Sequence, residues 1–387
     1  MTEFRFLTAG ESHGRGLVAI VEGVPAGLRL GEAYIERDLR RRQGGYGRGE
    51  RMKIETDHAE IISGVRHGRT MGSPIAMVIW NHDWENWSDI MAVGGREIGK
   101  GRITRPRPGH ADLPGVFKYG LKDIRPILER SSARETAARV AVGAIARRFL
   151  EEFGISIHSR TLAIGKVQSG SGSQVNWEVV EASPVRCADI RTGRAMMELV
   201  DAAVADGDSL GGVFEVIAEG MPVGLGSHTH WDRRLDGRIA QAVMSIPSVK
   251  AVEIGSGFAV AALRGSEAHD VILPGSDGQS LPWKRASNHA GGLEGGMTNG
   301  EPLVVRAAVK PISTLRKPLD SIDLATGEKA EAHFERADVC VVPAAGVVGE
   351  AMLAIVLASA VLEKFGGDSL RETLAAYRRY VRSIAVF

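Results

Sequence analysis

Cysteine is almost missing from this chain. Cys187 and Cys340 are the only two in 387 residues and lie far apart. That excludes a disulfide framework and a zinc knuckle, and both read as small buried hydrophobes. Net charge is missing too: 48 Lys plus Arg against 47 Asp plus Glu leave +1. No global field exists to hold nucleic acid or an acidic membrane, and neither is an expected partner. Met1 to Gly10 has no basic region followed by a long apolar core, so no signal peptide is visible. The longest apolar run, Ala351 to Leu362, falls short of the roughly 20 residues of a membrane span and reads as a core helix. A soluble, cytoplasmic protein is expected. The eleven histidines show no ligand spacing, so no metal is expected.

What is present is arginine. The sequence has 37 Arg and 11 Lys, and Arg grips carboxylates and phosphates through a planar fork. Helical periodicity or caps mark Glu32 to Arg42, Ser132 to Phe153, Arg194 to Ala205, Asp232 to Ser245, Glu350 to Phe365 and Ser369 to Val381. Ser132 with Glu135 and Ser369 with Glu372 read as capping boxes. Strand-like runs fall at Phe4 to Thr8, Leu17 to Val21, Ile75 to Trp80, Gly212 to Ala218 and Leu303 to Val309. No low-complexity linker interrupts the chain, so residues 1–387 read as one unit.

Two motifs recur in order. Glu22-Gly-Val-Pro-Ala-Gly-Leu28 returns as Glu219-Gly-Met-Pro-Val-Gly-Leu225, and Gly68-Arg-Thr-Met-Gly-Ser-Pro-Ile75 returns as Gly296-Met-Thr-Asn-Gly-Glu-Pro-Leu303. They predict a diverged tandem duplication with halves at about 5–190 and 200–387, and a site possible at their seam.

Familiar signatures fail on context. Gly10-Glu-Ser-His-Gly14 fits a nucleophile elbow, but only nine residues precede it and a strand-like run follows. Gly94 to Lys100 resembles a P-loop until Gly101 stands where Ser or Thr should bind magnesium. Four other readings hold together. Gly10 to Gly14 carries Ser12 and His13; Arg40 to Arg48 carries four arginines and Tyr46; Thr104 to His110 carries Arg105, Arg107 and His110; Glu129 to Thr136 starts a helix with two serines and two arginines. Arginine forks and a helix N-terminus describe a site for small polyanions, with His13 and His110 as proton donors.

At these residues the chain resembles the chorismate synthase family. The similarity extends through Thr104-Arg-Pro-Arg-Pro-Gly-His-Ala-Asp112, Glu129 to Thr136, Gly291 to Gly300, Lys310-Pro-Ile-Ser-Thr314 and Arg336-Ala-Asp338, from about residue 5 to residue 370. The resemblance implies an α+β fold, a β-α-β sandwich with helices between two antiparallel sheets, assembled as a homotetramer. It implies the 1,4-anti elimination of phosphate from 5-enolpyruvylshikimate 3-phosphate, giving chorismate and using reduced FMN, with NADPH as a possible reductant.

By the same resemblance His13 protonates or hydrogen-bonds the flavin, His110 assists the departing phosphate, and Asp338 acts with the flavin in removing the ring proton. FMN contacts are implied for Arg130, Ser131, Ser132, Pro247, Ser248, Gly295, Lys310, Pro311, Ile312, Ser313, Thr314 and Arg336. Arg42 and Arg48 match positions for NADP or substrate phosphate, and Arg107 and Arg134 complete the substrate clamp. Pro247-Ser248, where many relatives have Asn-Ala, and Val339, where many have Pro, depart from the pattern.

Overall fold

The computed structural model describes residues 4–49, 56–94, 101–170, 175–275 and 281–385. Residues 95–100 of the P-loop-like segment lie outside them. The first sheet holds β1 (Arg5–Ala9), β2 (Gly16–Glu22), β3 (Glu60–Ile61) and β4 (Ile75–Trp80), in the order β1-β2-β4-β3. The second holds β5 (Ser156–Ile164), β6 (Val167–Gln168), β7 (Gly212–Glu219), β8 (Val249–Ile254) and β9 (Leu303–Val309), in the order β8-β9-β7-β5-β6. Every pairing in both sheets is antiparallel. Alternation sets the inner faces. In β4, Ile75, Met77 and Ile79 are buried; in β9, Leu303, Val305, Ala307 and Val309 are buried.

Between the sheets run α1 (Glu32–Gln43), α4 (Thr136–Glu151), α6 (Leu235–Met244) and α7 (Val342–Phe365); α2 (Asp112–Tyr119), α3 (Arg125–Ser131), α5 (Ile190–Asp206) and α8 (Leu370–Ala385) lie around them. Helix α4 packs on β1 and β2, α7 packs on β5 and β7, and α4 and α7 pack on each other. The molecule is therefore a mixed α+β protein with helices sandwiched between antiparallel sheets.

Helix α7 begins eight residues before the expected Glu350. Pro343, Gly346 and Gly349 argue against a helix in sequence, yet Pro343 sits in the first turn, where its missing N–H costs nothing. The glycines let the helix approach β5 and β7: a Cβ on Gly349 would lie 2.7 Å from Phe214 Cε2. At 24 residues α7 is long enough to cross a membrane by length and composition, but 94% of its most apolar window is buried inside the protein. Gly143 of α4 plays the same part against α7, since a Cβ there would collide with Ala351. Gly143→Val is expected to force the helices apart and cost about 1–3 kcal/mol, read as a lower midpoint in urea unfolding.

The two recurring turns are built alike. Leu28 N–H donates to Thr70 Oγ1 at 3.0 Å, and that hydroxyl donates to the Pro25 carbonyl at 2.6 Å. Leu225 N–H donates to Thr298 Oγ1 at 2.8 Å, and Thr298 donates to the Pro222 carbonyl at 2.5 Å. The expected capping box at α8 forms, with Ser369 N–H on Glu372 Oε2 at 3.0 Å and Glu372 N–H on Ser369 Oγ at 3.4 Å. The one at Ser132 does not. Ser132 Oγ accepts from Arg134 N–H, while Glu135 turns to Thr8 and Arg139.

Candidate active site

A cavity of about 460 Å³ opens where the N-terminal ends of α4 and α7 meet the C-terminal end of α1. All four motif clusters read from the sequence contribute to its wall: Ser12 and His13, Arg42 and Arg48, Arg107 and His110, and Ser131 to Arg134. Among the described residues, six cationic side chains, those of Arg42, Arg48, Arg107, Arg134, Lys310 and Arg336, face two acidic ones, Glu335 and Asp338. The excess is positive, and the N-terminal ends of α4 and α7 add to it. Leu128, Ile246, Val341, Ala344, Ala345 and Val348 supply an apolar wall. A wider cleft of about 650 Å³ beside Val24 and Pro25 has, among the described residues, only Arg5, Glu22 and Asp368 as charged lining, with Arg5 already paired to Glu22 at 2.7 Å.

Each histidine is backed by a buried carboxylate. His13 Nδ1 lies 3.0 and 3.1 Å from the two oxygens of Glu129, and the ring stacks on Trp87 with centroids 3.9 Å apart. His110 Nδ1 lies 2.6 Å from Asp112 Oδ1. Asp112 also accepts from Arg107 Nε at 2.8 Å and from its Nη2 at 3.0 Å. Burial alone would raise the Asp112 carboxyl, but the hydrogen bonds from His110 and Arg107 hold it well below the usual carboxylate range. Arg107 Nη1 reaches Thr314 Oγ1 at 2.9 Å, tying the Thr104 to His110 turn to the segment after β9.

The arginines differ in how far they are committed. Arg42 donates to Thr136 Oγ1 at 2.9 Å, the Ala133 carbonyl at 2.8 Å and Asp57 at 3.3 Å. Burial lowers its pKa to about 10, against the pull of Asp57. Arg134 holds Asp57 and the Asn81 side-chain carbonyl. Arg48 Nη1 sits 3.1 Å from Asp338 Oδ2, and Asp338 Oδ1 accepts the Gly49 N–H at 2.6 Å. Arg336 is exposed and has no acidic partner among the described residues.

Lys310 donates to the Gly109 carbonyl at 2.8 Å, and burial, helped by Lys250, lowers its pKa. Pro247 and Ser248 line the cavity despite their departure from the family pattern; Ser248 has φ +71°, and its carbonyl accepts from Lys310 N–H at 2.8 Å. Val339, the other departure, donates its N–H to the Gly47 carbonyl at 2.8 Å. A Pro there would lose that tie to the Arg48 loop.

Three expected contacts lie apart from the wall. Arg130 turns to the carbonyls of Thr8 and Gly10 at 3.0 Å each, bracing β1. Gly295 sits in the hairpin between Leu293 and Thr298, under the second recurring turn, and the Pro311 ring faces solvent. Conversely, Asp57, Asn81, Trp87, Arg125 and Glu335 gather at the site without having been expected. Glu129 and Asp112 were legible, since Glu129 opens and Asp112 closes a motif already singled out. Trp87 and Asp57 come from segments with no chemical signature.

A family model described as chorismate synthase matches residues 4–362. The chorismate synthase of Moorella thermoacetica is 58% identical over 98% of this chain and 100% of its own length. That of Desulforudis audaxviator is 57% identical over 98% of each. A solved structure titled as the crystal structure of chorismate synthase superposes with a TM-score of 0.80 at 45% identity, over 100% of this chain and 99% of its own. The matched range, residues 4–362, includes every segment that lines the cavity, and the chain belongs to the chorismate synthase family.

Proposed function

We propose that the cavity binds 5-enolpyruvylshikimate 3-phosphate against reduced FMN and removes phosphate and a ring proton in a 1,4-anti elimination that yields chorismate. The protein is a carbon–oxygen lyase of the shikimate pathway. One observation carries the assignment of the cavity: six cationic side chains and two carboxylate-backed histidines share a single wall. Substrate and flavin together bring two phosphates and two carboxylates, and this wall can neutralise them.

The residues suit a flavin. The apolar side chains offer a face for a flat ring, while Ser131, Ser132, Ser248, Lys310, Ser313, Thr314 and Arg336 offer donors for its phosphate and polar edge. Bound there, reduced FMN supplies an electron-rich ring beside the breaking C–O bond. The chain's own residues do the rest. His110 gives a proton to the departing phosphate, Arg107 and Arg134 hold the substrate's anionic groups, Asp338 takes the ring proton at a carboxylate oxygen, and His13 hydrogen-bonds the flavin.

Arg48 lines the cavity beside Asp338, where a substrate or nicotinamide-nucleotide phosphate would meet it, and Arg42, bonded at all three nitrogens, holds Thr136, Ala133 and Asp57 behind it. Arg48→Lys is expected to raise KM about tenfold, a fork being replaced by a point donor. Unchanged KM in steady-state kinetics would contradict a fork-like grip. NADPH as the source of reducing equivalents belongs to the same reading, and NADPH oxidation with FMN and no added reductase tests it.

A homotetramer is also part of the reading. Leu7 (74% exposed), Trp80 and Ile20 on the first sheet form an apolar face that an assembly would cover. So is the tandem duplication, supported by the matching turn bonds and by the order β1-β2-β4-β3, which matches β5-β7-β9-β8; that match starts the second half before Ser156 rather than near residue 200. Cytoplasmic location belongs to the same reading and rests on the scarcity of cysteine and the lack of a visible targeting segment in the sequence. The test of function is phosphate release from the substrate by anaerobic enzyme with reduced FMN, and its absence when FMN is omitted.

A further inference from the structure

We propose that Glu129 is a positioning residue for the elimination, fixing His13 as the Nδ1–H tautomer with Nε2 on the cavity side. The inference rests on the reading of His13 as a group that hydrogen-bonds the flavin. Glu129 is 1% exposed and sits in the last turn of α3, behind the cavity wall rather than on it.

An ionised carboxylate can only accept hydrogen bonds, so the ring nitrogen facing it must carry the proton in a neutral imidazole. Both Glu129 oxygens lie within 3.1 Å of His13 Nδ1. Oε2 also accepts the His13 backbone N–H at 2.7 Å, so one side chain fixes the residue's backbone and the rotation of its ring. The Glu129 carbonyl accepts from Ser12 N–H at 3.1 Å, tying the Gly10 to Gly14 loop to α3 a third time. Trp87 closes one face of the ring, at an interplanar angle of 26°.

A second ring of charges holds Glu129 ionised. Arg125 Nη1 lies 3.2 Å from Glu129 Oε1 and 2.6 Å from Glu335 Oε1, and its guanidinium lies 5.2 Å from the Trp87 ring centroid. Burial would raise the Glu129 carboxyl, but the hydrogen bonds from the His13 ring and backbone, with the Arg125 charge behind them, lower it. No substrate contact is assigned to Glu129, so its influence on the reaction passes through His13.

Two measurements test this. Selective ¹⁵N-histidine NMR of the unaltered enzyme, with His13→Ala assigning the signal, reads the tautomer directly. An Nδ1–H ring is expected, and an Nε2–H ring overturns the proposal whether or not any Glu129 variant folds. Glu129→Gln is expected to lower kcat about 10- to 100-fold with little change in KM. In the His13→Ala background the same change should cost less than about twofold, because residues acting as one unit are not additive. A full multiplicative loss in that background shows that Glu129 acts independently of His13 and sinks the idea. Absence of chorismate formation by the unaltered enzyme would instead contradict the proposed function, and the tautomer would still be read.

Discussion

His110→Ala is expected to lower kcat by roughly 10²- to 10⁴-fold, the usual span for a general acid, while leaving the affinity for FMN within about twofold. The reason is local. Asp112 at 2.6 Å and Arg107 fix the imidazole at the cavity wall, and the cations around it can hold a phosphate without supplying a proton to it. Single-turnover phosphate release should therefore slow far more than flavin binding weakens. Loss of FMN binding with intact chemistry per bound enzyme would mean that His110 belongs to the flavin contact. Asp112→Asn should follow His110→Ala in direction but less in size, because the ring would keep its place while losing its orienting charge.

The largest stability effect is expected at a residue outside the cavity. Glu350 of α7 is fully buried and accepts from Arg41 at 2.7 and 2.9 Å, Ser159 at 2.6 Å, Arg186 at 3.3 Å and Arg147. Burial alone would raise its carboxyl, yet the charges of Arg41, Arg147 and Arg186 hold it well below the usual carboxylate range. Glu350→Ala leaves Arg41, Arg147 and Arg186 to share Asp38 and Glu181 as carboxylate partners and should cost about 3–5 kcal/mol, read as a lower urea midpoint at neutral pH.

The sign with pH follows from a depressed carboxyl. The stabilisation is complete above the unfolded-state value near 4.5 and is lost as pH falls below it. The difference between Glu350→Ala and the unaltered protein should therefore shrink in acid. Because Arg41 neighbours Arg42 on α1, the variant should also raise KM for the substrate. A full difference persisting well below the carboxylate range would contradict the assignment of the effect to this charge.

Much of this arrangement was legible because the chemistry sits in short contiguous motifs. Arg107, His110 and Asp112 occupy one turn; Glu129, Ser131, Ser132 and Arg134 occupy one junction between helices. The recurring Glu-Gly-x-Pro-x-Gly-Leu turns were equally plain, since each uses its glycines and a distant threonine in the same way.

Other parts were hidden for physical reasons. Strand β5 reads Ser-Ile-His-Ser-Arg-Thr-Leu-Ala-Ile, with no clean alternation, because its buried Arg160 is neutralised by Glu215 of β7 at 2.7 Å. The first two turns of α7 were masked by a proline and two glycines that serve packing. Trp87 reaches the site only through tertiary contact with His13 and Arg125.

The most direct test follows phosphate, chorismate and flavin absorbance together in one anaerobic reaction of the protein with reduced FMN and 5-enolpyruvylshikimate 3-phosphate. The account predicts one phosphate released per chorismate formed over many turnovers, with the flavin still reduced at the end. Phosphate release without chorismate, or flavin oxidised in step with product, would contradict it.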